Sequence, residues 1–320
     1  MTEPRTSATH VVLGAGPIGS SIARQLAAAG ASVRVVTRSG RQLGIPSVAS
    51  VQADITDPIA VRAATAGAGT VYFAAQPPYS NWPKGFPPLV DGVLGGLRGS
   101  GILLAVVDNL YAYGPTGGAP LTESHRYAAT NRKGRARAWV AERFMAADAA
   151  GDVRVTIARA SDYFGPEATE SMTGARFFEP LIAGKTLQVI GDPDAPHSVT
   201  YVPDFARTLI ELARHEEAFG QAWHVPTVPA ISIRRFAELV GSAAGTGAPR
   251  ISRLSRPMLR LAGVFMPDAR EVVEMLYEFE EPFVVDSSKF EQAFGLTATP
   301  FDTSIPATVA WWQSRRARAA

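Results

Sequence analysis

A short β-rich run at residues 10–13 leads directly into Gly14-Ala15-Gly16-Pro17-Ile18-Gly19, and a helical stretch, 20–29, follows. Three glycines at this spacing, between a strand and a helix, permit a tight turn and a close backbone approach. The helix that opens there offers free N–H groups and the positive end of its dipole, which suits a pyrophosphate. A glycine turn in an unrelated α/β protein is the competing explanation. The rest of the first half favours the ligand-binding one. Short apolar runs at 32–36, 48–52, 70–74, 102–107 and 153–158 alternate with helical stretches at 58–66, 88–97 and 134–149. Near-continuous apolar strands alternating with helices predict a parallel sheet covered on both faces. The expected fold is therefore α/β: a doubly wound Rossmann sheet.

After about residue 165 the alternation weakens. Helices are expected at 203–214, 233–244, within 257–277 and at 305–315, with strands at 187–190, 223–225 and 283–285. This reads as a smaller C-terminal substrate lobe. The division is a dinucleotide-binding Rossmann domain over 1–165 and a lobe over 166–320, with some segments of the latter returning to the sheet.

Composition limits the function classes. With 31 Lys and Arg against 29 Asp and Glu, the net charge is only +2, too little to attract nucleic acid or anionic lipid. No cysteine is present, which excludes disulfides, thiolate zinc sites and a thiol nucleophile. His10, His125, His215 and His224 show no metal-ligand spacing, and no metal is expected. The apolar run 102–107 is far short of the roughly 20 residues of a membrane span. The first ten residues hold no apolar signal core. A soluble, cytoplasmic protein with a small-molecule partner is expected.

The end of the second predicted strand selects the cofactor. Dinucleotide sites that take NAD place Asp or Glu about 20 residues past the glycines, against the ribose 2′-hydroxyl. Here the segment is Val36-Thr37-Arg38-Ser39-Gly40-Arg41, without a carboxylate. Guanidinium and hydroxyl donors suit a 2′-phosphate that a carboxylate would repel. NADP is therefore expected in preference to NAD, with Arg38, Ser39 and Arg41 at the phosphate. The alternative makes these arginines solvated turn residues. Asp54, after the third strand, is the expected acceptor for the adenine amino group, and Ile55, Ala74 and Ala75 are expected to bind the cofactor as well.

Several further strings resemble the extended short-chain dehydrogenase/reductase family, also called the NAD-dependent epimerase/dehydratase family. Asp108-Asn109-Leu110-Tyr111-Ala112-Tyr113-Gly114-Pro115 resembles its Ser-Ser-x-x-Val-Tyr-Gly segment. Lys133 opens a long helix as the family's catalytic lysine does. Arg159-Ala160-Ser161-Asp162-Tyr163-Phe164-Gly165-Pro166 resembles Arg-Pro-x-Asn-x-Tyr-Gly-Pro, and the stretch from His197 to Ala206 resembles Arg-x-x-x-x-Val-x-Asp-x-Ala. The matches run in the family's order across most of the chain. They imply that Lys133 binds the nicotinamide ribose and that Ala160 lies against the cofactor. A homodimer is common among such proteins.

The departures bear on chemistry. The family's acid is a tyrosine four residues before the lysine, and Ala129 stands there. Its catalytic Ser or Thr becomes Asn109. In the family's sugar dehydratases the next two residues carry acid/base groups, which here are Leu110 and Tyr111. Tyr111 is the expected acid/base, its phenol near Lys133, with Asn109 donating a hydrogen bond to the substrate oxygen. The alternative has Tyr111 merely packing. The family's diphosphate-gripping Asn and Arg become Asp162 and His197, a carboxylate and a weaker clamp. A smaller or more apolar substrate than a nucleotide sugar is expected.

The proline-rich segment after the fourth strand, with Gln76, Tyr79, Trp82 and Phe86, reads as a stiff loop providing an aromatic wall to the substrate. Tyr163, Phe177, Phe178, Tyr277 and Phe279 are expected to add to it, ordinary packing being the alternative. The leading reading is an NADP-dependent oxidoreductase, or an epimerase/dehydratase-like enzyme, acting on a carbonyl-type substrate. A non-catalytic NADP-binding sensor and a redox-neutral isomerase are the alternatives.

Overall fold

A computed structural model describes residues 9–254 and 273–319. Contacts divide the chain into two compact units. The first comprises Met1–Ala112, Lys133–Arg159 and Phe205–Trp223, the second Tyr113–Arg132, Ala160–Asp204 and His224–Ala320. The expected single boundary at 165 is thus replaced by an interleaved one.

In the first unit, strands β1 (Thr9–Leu13), β2 (Val33–Thr37), β3 (Val48–Gln52), β4 (Ala68–Phe73), β5 (Leu103–Asn109) and β6 (Arg154–Ala160) stand in the order β3-β2-β1-β4-β5-β6. A seventh strand, Gln221–His224, joins the free edge of β6. The pairs β2–β3, β1–β2, β1–β4 and β4–β5 are parallel. Val11, Val12, Leu13, Val71, Leu104, Ala105, Val155 and Ile157 are sealed from solvent. Consecutive residues of a strand face opposite ways, so burial of both means helices cover both faces. The strand order reverses between β1 and β4, the place where doubly wound sheets bind ligands at their strand C-termini.

Four helices follow strands of this unit: α1 (Pro17–Ala28), α2 (Pro58–Thr65), α3 (Trp82–Leu97) and α4 (Arg132–Ala149). Proline opens α1 and α2, where its fixed φ suits the helix and its missing N–H would have no partner. Asp57 caps α2 by accepting from the Ile59 N–H at 2.9 Å.

Helix α3 begins at Trp82, six residues before the expected start, so the proline-rich loop is shorter than its composition suggests. A 3₁₀ turn, Tyr79–Asn81, leads into it. Pro87 and Pro88 lie inside the helix. The helix tolerates them because burial of Trp82, Phe86, Val90, Val93 and Leu97 along one face offsets the lost hydrogen bonds.

The second unit is built of short pieces. Asp162–Phe164 pairs parallel with Val199–Tyr201, and Leu187–Ile190 with Ile251–Leu254. Pro196–His197 pairs antiparallel with Ile231–Ser232. Its apolar core joins helices Ala175–Ile182, Ile233–Ala244 and Phe301–Ala319 through Phe177, Phe178, Phe236, Val240 and Trp312. The expected strand at 283–285 appears as two single bridges, Phe283 with His197 and Val285 with Leu121. The helices expected within 257–277 lie largely outside the described residues; a short helix, Tyr277–Glu280, closes that stretch.

Candidate functional site

In the first unit the glycine turn joins β1 to α1, and its three glycines serve three purposes. Gly14 has φ +107°, and a Cβ there would come within 2.8 Å of the Ala75 nitrogen. Gly19 packs so closely that a Cβ would overlap the Gly14 carbonyl oxygen. At Gly16 a Cβ would meet nothing within 4 Å. Glycines 14 and 19 are therefore demanded by the protein's own packing, whereas Gly16 borders open space at the head of α1. Pro17 supplies no N–H, so Ile18 and Gly19 are the residues whose amides begin the helix. Ala74, on the neighbouring strand end, donates its N–H to the Leu13 carbonyl at 2.9 Å and holds β4 against the turn.

Arg38, Ser39 and Arg41 follow β2 and are exposed. The Arg41 N–H donates to Thr37 Oγ1 at 2.9 Å, which shapes the turn. Among the described residues neither arginine has a carboxylate within ion-pair distance. Asp54 lies close enough for the charge of Arg38 to act on it. Its Oδ1 accepts from the Thr56 N–H at 3.0 Å and the Thr56 hydroxyl at 2.9 Å. These bonds, with Arg38 assisting, hold the Asp54 carboxyl below the usual range. Ile55 beside it is buried.

Lys133 occupies the first turn of α4 and is 1% exposed. Its ammonium donates to the Tyr79 carbonyl at 3.1 Å and lies 4.0 Å from the centroid of the Tyr79 ring. Four residues on, Arg137 is buried as well, its guanidinium over Trp82 at 4.6 Å and Phe86 at 4.7 Å. Arg137 is 3.5 Å from Asp108, whose other oxygen receives Arg159 at 2.9 Å with both side chains buried. Sequence reasoning missed Arg137 and Asp108. The available signal was spacing: Lys133, Arg137, Val140, Ala141 and Phe144 form the inward stripe of α4, with two cations in apolar positions.

Tyr79, Trp82, Phe86 and Tyr111 are brought together. Trp82 meets Tyr79 edge-on at 4.9 Å, Phe86 at 5.5 Å and Tyr111 at 5.8 Å. Trp82 and Phe86 are 4% and 1% exposed, so they belong to the core instead of forming an open wall. Tyr79 and Tyr111 are the accessible members. Asn109 ends β5, and its Oδ1 accepts from the Tyr111 N–H at 3.2 Å, leaving the Nδ2 amide to donate. Gln76 Oε1 lies 3.5 Å from Arg137. Ala129 precedes the helix, because α4 starts at Arg132. Position 129 therefore shares no helical face with Lys133.

Ala160 is buried at the end of β6. In the second unit, His197 is sandwiched between Phe279 at 5.1 Å and Phe283 at 5.5 Å. Its Nδ1 donates to the Glu278 carbonyl at 3.1 Å, and its Nε2 is 2.9 Å from Asp162 Oδ2. The Glu278 side chain is fully buried, and desolvation aided by the charge of Asp162 raises its pKa well above the ordinary value. Tyr163, the residue after Asp162, takes the Thr173 hydroxyl on its carbonyl at 3.0 Å. Phe177 and Phe178 are not wall residues. Phe177 stacks on Phe236 at 5.1 Å and Phe178 on Trp312 at 6.0 Å, inside the core. Among the described residues no helix is long and apolar enough to cross a membrane, and no three His, Asp or Glu side chains converge for a metal.

No protein-family model matches the sequence, and no curated protein matches it. Solved structures do. An epimerase from Methanothermobacter thermautotrophicus gives a TM-score of 0.81 at 16% identity, over 98% of this chain and 94% of that one. The dTDP-glucose 4,6-dehydratase of Bacillus anthracis, in complex with NAD, gives 0.79 at 15%, over 97% and 98%. The UDP-N-acetylglucosamine 4-epimerase of Bacillus cereus gives 0.75 at 14%, over 96% and 97%. Along nearly its whole length, this chain has the fold of these epimerases and dehydratases.

Proposed function

We propose that the chain is an NADP-dependent oxidoreductase, or an epimerase or dehydratase with a concealed redox cycle, acting on a small or apolar carbonyl-type substrate. The observation that carries this is Gly16. The protein supplies no steric reason for glycine there, whereas a pyrophosphate seated on the first amides of α1 does. The B. anthracis dehydratase and other similar structures are complexes with NAD. The exposed Arg38-Ser39-Gly40-Arg41 turn, without a carboxylate, supports the phosphorylated form for this chain.

A bound nicotinamide would supply or accept a hydride at the substrate carbon. Lys133 would hold the nicotinamide ribose and place a fixed positive charge where oxygen becomes negative. The Asn109 amide would polarise that oxygen. The acid is a phenol flanking Trp82, either Tyr111, expected from the motif, or Tyr79. His197 and Asp162 hold each other at 2.9 Å, where the resembled family keeps a diphosphate-gripping Arg and Asn, and this supports a substrate other than a nucleotide sugar.

Fluorescence titration tests the cofactor. NADPH should bind at least tenfold more tightly than NADH, a difference of about 1.4 kcal/mol, and Arg38→Ala with Arg41→Ala should erase the gap. Equal binding of both cofactors by the unaltered protein refutes the arginine argument. A panel of ketones, enones and aldehydes with NADPH tests turnover. The absence of a phenol at position 129 favours a second reading, a dinucleotide sensor, which binds NADPH and turns over nothing in the panel.

A further inference from the structure

We propose that Tyr79 is a gate on the cofactor site: its ring covers the Lys133 ammonium, and NADPH must displace that ring before the nicotinamide ribose reaches the amine. This rests on the nicotinamide-dependent reading above, in which Lys133 holds the ribose. Lys133 is 1% exposed, so no ligand touches it while its cover stays in place. Tyr79 covers it through two contacts. The ammonium lies 4.0 Å from the Tyr79 ring centroid and donates to the Tyr79 carbonyl at 3.1 Å. Tyr79 is itself 37% exposed, so it stands between the amine and solvent. A ring face attracts a cation through its quadrupole. Ribose hydroxyls would take the same ammonium, so ring and ribose compete for it.

The cover can move without disturbing what lies beneath it. Residues Tyr79–Asn81 form a 3₁₀ turn in which no residue is buried. The turn is anchored on both sides. Pro77 packs against the backbone of Gly85, where a Cβ would overlap it, and Trp82 is buried at the start of α3. The Asn81 N–H donates to the Pro78 carbonyl at 2.8 Å and closes the turn. Between these anchors, rotation of the Tyr79 side chain uncovers one face of the ammonium and leaves the carbonyl bond in place. A site whose competent form is only part of the population binds with its affinity reduced by that fraction. The gate therefore weakens NADPH binding, and removing the ring should strengthen it. A ring that merely contacted the cofactor would do the reverse, because its removal would weaken binding.

Fluorescence titration with NADPH compares the unaltered protein with Tyr79→Ala, Tyr79→Leu and Tyr79→Phe. The Ala and Leu proteins lack a ring face and should bind about threefold more tightly or better, the effect of removing a cation–π contact of ordinary strength. The Phe protein keeps the ring and should stay within about twofold of the unaltered one. Leu keeps apolar bulk in the turn, so a folding defect in Tyr79→Ala would not decide the outcome. A second readout needs no cofactor. Pulsed acetic anhydride, read by mass spectrometry of the peptide that carries Lys133, should label that amine about threefold faster or more in the Ala and Leu proteins. The exposed Lys185 serves as the internal reference. Equal labelling rates overturn the gate, as does NADPH binding that is equal or weaker once the ring is gone. If the unaltered protein binds neither NADPH nor NADH, the underlying reading fails. If it binds NADPH and the Ala and Leu proteins bind no better, the gate alone fails.

Discussion

At Gly14 and Gly19 a side chain collides with backbone, and at Gly16 it does not. This separates folding from binding at single atoms. Gly19→Ala should destabilise the protein and abolish NADPH binding together. Gly16→Val should cost no more than about 1 kcal/mol of stability, the loss of a favourable N-cap residue with no steric clash, while losing NADPH affinity. Denaturant melts beside fluorescence titrations measure both, and a Gly16→Val protein that binds normally contradicts the pyrophosphate seat. Glu278 offers a pH-dependent case. Its carboxyl ionises near the ordinary value when unfolded and only well above it when folded. The folded state is therefore unpenalised below the ordinary value and loses stability as pH rises toward the folded one. Glu278→Gln should match the unaltered protein near pH 4 and exceed it in thermal midpoint at pH 8. Equal midpoints at both pH values would contradict the buried acid.

Helices show where local preference governs and where packing overrides it. Proline and Asp57 open α2 where the sequence pattern places it. Helix α3 runs through Pro87 and Pro88 because its apolar stripe is buried, a benefit invisible to a reading of the prolines alone. The aromatic residues divide in the same way. Trp82, Phe86, Phe177 and Phe178 all suited a ligand wall by type, and all are buried. The C-terminal helix Phe301–Ala319 is anchored by Trp312, stacked on Phe178 at an interplanar angle of 7°. Trp312→Ala should cost about 3–5 kcal/mol, the range for removing a buried large aromatic. Chemical denaturation monitored by circular dichroism measures this, and a loss below about 1 kcal/mol would show the helix to be dispensable to that core.

For the molecule as a whole, the chain passes repeatedly between its two units, and the first is completed by Phe205–Trp223. The strand Gln221–His224 covers the edge of β6. Gly220 donates its N–H to the Val155 carbonyl at 2.8 Å, and Thr156 donates to the Ala218 carbonyl at 3.0 Å. A fragment of residues 1–165 should therefore expose an unpaired edge and lack a cooperative thermal transition, whereas the full chain has one. A folded, cooperative fragment would show the returning segment to be unnecessary.

The order of strands and helices and the glycine turn were legible from residue types, because they depend on periodicity and chemistry that act over a few residues. Which phenol meets Lys133, which aromatics are buried, and the joining of Asp108 to Arg137 and Arg159 were decided by tertiary contacts between residues far apart in sequence, such as Tyr79 with Lys133, 54 positions apart, and Asp108 with Arg159, 51 apart. Local patterns specify a face and a backbone conformation. Partners across such separations are selected only when the whole sheet closes and each buried charge must find a counterpart.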